Sequence, residues 1–332
     1  MKLTILLSLI SSFQILQQSA TDAGRFEGMQ YAMVCSTFFI GKLFSAIHIM
    51  RGNEIDINAR LRMAAKMLII GAGLSVIPIL DTIFVSLGRL VIGYATGTAF
   101  ILAPAVVRMT VEMTARPRHF LILAFAFSMG TFFANSLQSA SIIVNSLHST
   151  STLTALSGLT YLILSPKKFH MINEPENTPN MVFKERTRVT VALMVLNVAI
   201  GVPMIQSYST HLFTYFGHDI TVAKILSILW PLIQLLPIIV CYRSDWNKKT
   251  QLLLGFYISI FLQFLILLTS LVGYLPVQTK EYLLTGFLIL LSTFVAVPCN
   301  ITFCILFDNL NAKDVREASG SRFLMWFLAA LR

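Results

Sequence analysis

Residues 88–120 read GRLVIGYATGTAFILAPAVVRMTVEMTARPRHF, and this stretch shows the pattern that decides the fold. Its first part belongs to an apolar run over 83–107, which is long enough to cross a bilayer because a helical span needs about 20 residues. A short break with Arg108, Arg116 and Arg118 follows, and then the next apolar run begins. The whole chain repeats this alternation of apolar runs and basic breaks.

The composition indicates the same class of protein. Of the 332 residues, 56% are hydrophobic and 12% are charged, against about 45–50% and about 25% in an average globular domain. A soluble protein of this size could not cover its surface with so few charges. At about 30 residues for each span and its loop, the length predicts about eleven spans. We therefore expect an all-α polytopic membrane protein and no enzyme, since no residues remain for a large catalytic domain outside the membrane.

Apolar runs predict spans at approximately 3–20, 31–50, 64–80, 83–107, 120–145, 147–165, 189–216, 222–242, 252–275 and 281–307, with a further start at 320–331. The first run also fits a cleavable signal peptide, because Lys2 precedes it and small residues lie near its end. The last run stops at Arg332, too soon to cross. We therefore expect a C-terminally incomplete chain.

The longest polar stretch, PKKFHMINEPENTPNMVFKERTR over 166–188, divides the chain. We expect a six-helix bundle over 1–165 and a cytoplasmic linker over 166–188. The remaining 189–332 should form a second bundle of about five helices, the last one incomplete.

The basic residues are distributed unevenly between the two sets of breaks. Alternate breaks, from the one after the second span onwards, hold 18 of the 25 Lys and Arg residues, whereas the opposite breaks hold only Arg25, Lys224 and Lys280. Basic residues concentrate in cytoplasmic loops, so the N-terminus is predicted to be cytosolic. The net charge of +10 then reflects topology and contacts with lipid headgroups, and no nucleic-acid partner is expected.

Motifs of soluble enzymes and pumps are missing from the sequence. The chain has no Walker loop, no HExxH, no GxSxG and no intramembrane aspartate pair. The four cysteines show no zinc or CxxC spacing, so we expect neither a metal nor a cofactor. Gly93 and Gly97 form a GxxxG pattern, which is typical of close helix packing.

Polar residues inside the apolar runs are functional candidates because their burial in hydrocarbon is costly. Each could equally form a hydrogen bond between helices. They are Gln14, Gln17, Gln18, Lys42, Arg89, Asn135, Gln138, Asn197, Gln206, Gln234, Gln263, Asn300 and Asp308. Gly201 and Pro203 interrupt the seventh run, which indicates either local unwinding beside a cavity or a simple proline kink.

Residues 88–120 resemble the fourth span and following loop of the sugar porters of the major facilitator superfamily, the facilitated glucose transporter type. The matching positions are Gly88, Arg89, Gly93, Pro104, Glu112 and Arg118. Other stretches are similar to that family in the same order along the chain. These are SSFQILQQS over 11–19, SPKKFHMIN over 165–173, IQSYSTHLFTYFG over 205–217 and VPCNITF over 297–303.

The resemblance implies the major facilitator fold, with about eleven of its twelve helices present in two bundles. It implies an alternating-access carrier of a small solute, working by facilitated diffusion in the plasma membrane. Substrate-binding positions would then be Gln14, Asn197, Gln206, Tyr208, Asn300 and Phe303. A gating charge network would comprise Arg89, Glu112, Arg118, Arg51, Lys248, Asp308 and Arg316.

Departures from the family pattern change the kind of solute that is expected. Asn197, Val198, Pro203 and Trp230 stand where the family has glutamines and asparagines that hold sugar hydroxyls, and Phe303 replaces a tryptophan. A sugar-like or less polar solute is therefore expected. The alternatives are a transport-inactive relative and a multi-span receptor.

Overall fold

The computed structural model describes residues 28–51, 56–77, 81–112, 114–140, 146–165, 192, 210, 212–244, 247–274 and 276–309, and regular structure in these ranges is helical. The helices are α1 Gly28–Arg51, α2 Ile57–Val76, α3 Asp81–Thr110, α4 Arg116–Ala140, α5 Ser146–Leu164, α6 Ile220–Ile233, α7 Leu235–Arg243, α8 Lys248–Leu271 and α9 Val277–Asn309. The predicted runs 3–20 and 320–331, the linker and most of 189–216 lie outside the described residues.

Four helical segments of the described chain are long and apolar enough to cross a membrane. They are Thr82–Thr110, Ile220–Arg243, Lys249–Leu271 and Val277–Val297, and two shorter apolar segments occur at Ser36–Ile49 and Ser151–Leu164. Helix α2 is less apolar because its first turns carry Arg60, Arg62 and Lys66.

Two helices begin with the same kind of cap. The Asp56 side chain accepts hydrogen bonds from the backbone N–H groups of Asn58 and Ala59, at 3.0 and 3.2 Å, at the start of α2. The Asn247 side chain accepts from the Lys249 N–H at 3.0 Å at the start of α8. Both residues satisfy donors that the first helical turn leaves without partners. The same kind of cap therefore occurs in both halves of the chain.

The apolar run predicted over 222–242 contains a one-residue interruption at Gln234, the α6–α7 break, where the backbone stays helical and the Gln234 N–H donates to the Trp230 carbonyl at 3.0 Å. Helix α6 ends at Ile233 and α7 begins at Leu235, with Gln234 between them. Pro231 and Pro237 lie on either side, and a proline within a helix removes a backbone donor. The interruption is therefore a local consequence of the sequence.

Helices α1, α2, α3 and α5 share one hydrophobic cluster. Helix α3 packs against both α1 and α2, and α5 packs against α2. Phe38, Leu61, Leu68, Ile92 and Tyr161 are fully or almost fully buried in this cluster. A second cluster joins residues of α6, α8 and α9, with Trp230 as its largest member and Phe213, Phe256, Leu288 and Val295 around it.

A smaller cluster connects α4 to the helices of the second cluster. Leu121 and Ala124 of α4 meet Leu235 and Ile238 of α7 and Ala296 of α9. All five side chains are aliphatic and buried, so they contribute to this contact by close packing.

Helix α8 presents a large apolar face outwards. Tyr257, Phe261, Phe264, Leu268 and Leu271 have between 47% and 74% of their surfaces exposed. Their spacing of three or four residues places them on one side of the helix. A contiguous apolar face of this kind fits lipid as its surroundings.

Candidate functional site

Helices α1 and α3 make their contact through glycines. A Cβ atom on Gly97 would come within 3.1 Å of the Lys42 Cα, and a Cβ on Gly41 would come within 2.9 Å of the Tyr94 nitrogen. A Cβ on Gly93 would clash with the backbone oxygen of Phe38. Residue numbers rise together along both helices, so α1 and α3 lie parallel. The GxxxG pattern at Gly93 and Gly97 therefore lies at a helix–helix contact.

Two cationic side chains are buried beside this contact. Lys42 on α1 has 3% of its surface exposed and Arg89 on α3 has 1%. The Lys42 Nζ lies 4.5 Å from the centroid of the Phe38 ring, and the Arg89 Cζ lies 5.6 Å from the same centroid. The Lys42 Nζ is also 5.5 Å from the Phe39 ring. Both cations are thus within the range of cation–π attraction, which extends to about 6 Å.

Polar side chains continue along the same helix pair. Ser45 and Thr98 form a buried hydrogen bond at 2.9 Å between their hydroxyl oxygens. His48 Nδ1 lies 2.6 Å from the Tyr94 hydroxyl, and its Nε2 lies 2.7 Å from Nη1 of Arg60. A guanidinium group can only donate, so the His48 Nε2 accepts from Arg60. The protonated Nδ1 of His48 then donates a hydrogen bond to the Tyr94 hydroxyl oxygen. This chain of bonds fixes a neutral imidazole and connects α1, α2 and α3.

The Arg116 side chain caps the C-terminal end of α3. Its Nε donates to the Val111 carbonyl at 3.0 Å and its Nη2 donates to the Arg108 carbonyl at 2.9 Å. These carbonyls belong to the last turn of α3 and the residue just after it, where helical partners are lacking. Arg116 is 1% exposed, although it starts a new helix at a basic break.

Glu112 and Arg118, two predicted network residues near Arg116, are exposed. Neither has an ion-pair partner among the described residues. The neighbouring imidazole of His119 is partly buried, and this burial lowers its pKa below the ordinary value, so His119 is neutral at pH 7.

The second cluster contains a buried polar pair. The Gln234 side chain, at the α6–α7 break, donates from Nε2 to the Ser292 carbonyl of α9 at 3.2 Å. One turn earlier, the Trp230 indole is 1% exposed, and its Nε1 has no hydrogen-bond acceptor among the described residues. Closer to the start of α6, the hydroxyls of Thr210 and Ser227 lie 3.0 Å apart.

The predicted site residues fall into three groups. Arg89, Glu112 and Arg118 are described with their side chains. Five others lie on described helices, with only their backbones described: Arg51, Lys248, Asn300, Phe303 and Asp308. Outside the described residues are Gln14, Asn197, Gln206, Tyr208, Arg316 and the predicted helix break at Gly201 and Pro203.

The structure does not bring Arg89 together with Glu112 and Arg118. Arg89 lies near the start of α3, whereas Glu112 follows the end of that helix. At about 1.5 Å per residue, the two are separated by roughly 35 Å along the chain direction. Arg89 instead approaches the Phe38 ring of α1.

Sequence reasoning missed the two buried cations as a pair. Lys42 stood out as a cation inside an apolar run, but nothing in the sequence indicated that it faces Arg89. In the sequence, nothing distinguishes Arg116 from the other basic residues of its loop. Its neighbour Arg118 has the same chemistry and is exposed, so composition alone does not separate them.

No group of three His, Cys, Asp or Glu side chains that could hold a metal ion occurs in the described part of the chain. The polar and cationic side chains described above can form hydrogen bonds and attract anionic groups. It contains no arrangement of a nucleophile beside a general base such as hydrolytic sites use.

No family model matches the chain, and no curated protein matches it by sequence. Solved structures do match. The xylose transporter XylE from E. coli, in a partially occluded inward-open conformation, is 12% identical with a TM-score of 0.71, and the match covers 99% of this chain and 88% of that one. The major facilitator superfamily transporter FucP, in an outward conformation, is 13% identical with a TM-score of 0.69 over 99% and 89% of the two chains.

The human organic anion transporter MFSD10 is 15% identical, with a TM-score of 0.62 over 98% of this chain and 89% of that one. At these identities the similarity shows the fold. The chain has the major facilitator fold, as the sequence predicted, and is an integral membrane protein.

Proposed function

We propose that this chain is a transmembrane carrier of a small solute that works by alternating access. The observation that carries the proposal is the similarity of nearly the whole chain to transporters. The moving parts would be a bundle over 1–165 and a bundle over 189–332, joined by a cytoplasmic linker over 166–188. Solute would bind between them and be released as the bundles rock.

The contact between α4 and the helices α7 and α9 supports such a motion. Leu121, Ala124, Leu235, Ile238 and Ala296 pack there without a hydrogen bond between their side chains. An aliphatic contact can slide or tilt without leaving buried polar groups unsatisfied. This contact would act as the pivot of the two bundles.

The predicted cytosolic charges supply a gate in this proposal. Glu112 and Arg118 are exposed at the end of α3 and the start of α4, where they are free to pair with residues of the other bundle. Asp308 and Arg316 would be their counterparts, with Arg51 and Lys248 nearby. Exposed ion pairs are worth about 0–1 kcal/mol each, so such a gate can open and close easily.

The solute would be sugar-like or less polar than a hexose. Trp230 replaces a family asparagine and is buried in an apolar cluster, where it offers one N–H donor and no acceptor. Fewer polar ligands make a poorer site for a molecule that presents many hydroxyls. Proteins of this fold differ in solute, since XylE is a xylose transporter and MFSD10 an organic anion transporter.

Uptake into liposomes tests the proposal. Purified protein is reconstituted, and entry of labelled hexoses and polyols is compared with entry into empty liposomes. We expect saturable uptake of at least one solute and a reduced rate for Arg118→Ala, which removes a gate charge. If no sugar or polyol enters faster than into empty liposomes, the carrier proposal fails in this form and a transport-inactive relative is favoured.

A further inference from the structure

Two basic residues lie well inside helix α2. Arg62 and Lys66 are five and nine residues beyond its first residue, Ile57, which places them about 8 and 14 Å along the helix axis. The helix has 20 residues, and a bilayer span needs about 20. A charged side chain at such a depth is costly to place in a membrane and is a functional candidate for that reason.

Lys66 lies on a face of α2 that is otherwise apolar. Met63 and Ile70, one turn away on either side, have 42% and 53% of their surfaces exposed, and Lys66 is exposed between them. Spacings of three and four residues place these side chains on one side of the helix. Exposed apolar side chains on a helix of a membrane protein face lipid, so Lys66 is surrounded by acyl chains rather than by a solute pathway.

Helix α5 forms the other half of this lipid-facing surface. A Cβ atom on Gly158 would lie 2.7 Å from the Ala65 carbonyl oxygen, so α2 and α5 come into backbone contact there. Leu159 follows Gly158 directly and is 46% exposed, and Ile163, one turn further along α5, is 73% exposed. The exposed surface beside this helix contact therefore combines aliphatic side chains from α5 with the Lys66 ammonium from α2.

The two cations are not neutralised within the described part of the chain. Arg62 and Lys66 form neither a hydrogen bond nor an ion pair with the described residues, whereas Arg60, nearer the start of α2, bonds to His48. Like charges four residues apart on a helix repel each other, and an anion between them would remove this repulsion. Helical side chains point back towards the N-terminus, so both charged groups are directed at the headgroups beside the start of α2.

We propose that Arg62 and Lys66 bind the phosphate of an anionic phospholipid in the leaflet at the start of α2, which is predicted to be cytosolic. The Arg62 guanidinium offers a fork of donors to phosphate oxygens, and the Lys66 ammonium adds a compact second charge. The acyl chains lie along Met63, Leu159 and Ile163. This lipid site is separate from a solute pathway and does not depend on the proposed carrier function.

The binding test compares two lipids that differ in net charge. Native mass spectrometry of the purified full-length protein, released from detergent micelles, gives the affinity for the first bound lipid. Phosphatidylglycerol is compared with phosphatidylcholine of identical acyl chains. One Lys or Arg strengthens the attraction to an anionic membrane surface by about fivefold, so we expect phosphatidylglycerol to bind about tenfold or more tightly than phosphatidylcholine. Equal affinities would overturn the proposal.

Variants separate this site from the general positive charge of the chain. Arg62→Gln combined with Lys66→Gln should lower the affinity for phosphatidylglycerol by about tenfold or more. The matched control combines Arg243→Gln with Lys249→Gln, which removes two exposed charges from another basic break and should leave this affinity unchanged. An equal loss in both double variants would contradict the proposal, since net charge alone would then attract the lipid.

Two further arms exclude misfolding and a soluble anion. The double variant Arg62→Lys with Lys66→Arg keeps both charges and should retain most of the affinity for phosphatidylglycerol. Inorganic phosphate shares the headgroup chemistry but has no acyl chains, so at the same molar concentration it should not displace the lipid. Complete displacement by phosphate would assign the two cations to a soluble anion and would disprove the lipid site.

Discussion

The smallest residues of the chain decide its closest helix contact. At Gly41 and Gly93 the backbones of α1 and α3 approach so closely that a Cβ atom does not fit between them, and at Gly97 a Cβ would make a tight contact. Gly73 on α2 is different, since a Cβ there would meet no atom within 4 Å. A glycine is therefore important for helix packing at the α1–α3 contact and is not required for packing at position 73.

This contrast gives a prediction for Gly93→Ala. The added methyl group would push α1 away from α3, so we expect a loss of about 1–3 kcal/mol in the free energy of unfolding, as for other overpacked sites. Gly73→Ala is the matched control and should be neutral or slightly stabilising, because alanine favours helix over glycine by about 1 kcal/mol. Thermal unfolding in detergent measures both, and equal midpoints for the two variants would show that the glycine contact is unimportant.

At single positions, the sequence identified which residues carry a charge but not which side chains surround them. Lys42 and Arg89 were both recognisable as charges inside apolar runs. Which faces of two helices meet depends on tertiary packing, so their pairing was not predictable. Arg116 and Arg118 are two residues apart and therefore point to different sides of α4, which made one buried and the other exposed.

On the scale of helices, the apolar runs predicted which segments form helices better than they predicted the residues at which those helices begin and end. The run over 31–50 corresponds to α1, Gly28–Arg51. The run over 64–80 missed the first turns of α2, which begins at Ile57. Arg60 and Arg62 lie in those turns, and hydropathy detects where apolar residues start rather than where the helix starts.

The α6–α7 break escaped sequence reasoning for a related reason. One glutamine in a long apolar run hardly changes its average hydropathy, and the prolines beside it are compatible with a kink as well as with a break. The structure adds the bond from Gln234 to the Ser292 carbonyl, which ties the break to α9.

We expect Gln234→Leu to weaken the attachment of the broken helix to α9. Loss of this one hydrogen bond should lower the free energy of unfolding by about 0.6–2 kcal/mol, the range for polar contacts between membrane helices. Denaturation of the purified protein by SDS, followed by circular dichroism, measures the change. Gln278→Leu serves as the control because Gln278 is exposed at the start of α9. A Gln234→Leu protein as stable as the control would mean that the bond contributes nothing.

For the molecule as a whole, the alternation of apolar runs and basic breaks sufficed to predict an all-α membrane protein. The major facilitator fold was predicted from the resemblance of residues 88–120 and the other collinear stretches to the sugar porters. Eight of the predicted runs overlap helices of the described chain. The orientation in the membrane and the two-bundle division stay predictions, since they depend on the bilayer and on residues 166–188.

Cysteine labelling tests the predicted orientation. In intact cells, a membrane-impermeant maleimide should label Gly273→Cys, which lies between α8 and α9 on the predicted outer side. It should label Lys249→Cys, at the start of α8, only after permeabilisation, since basic breaks are predicted to be cytosolic. The parent protein controls for its four own cysteines. Labelling of Lys249→Cys in intact cells would reverse the topology.

The burial of Trp230 has an optical consequence. The chain has three tryptophans, and this one is enclosed by Phe213, Phe256 and Leu288 in the second cluster. An indole kept away from water emits at shorter wavelength than one in water, and its emission responds to small changes in its surroundings. Because the two clusters belong to different parts of the chain, the emission of Trp230 reports on the C-terminal cluster separately from events at α1 and α3.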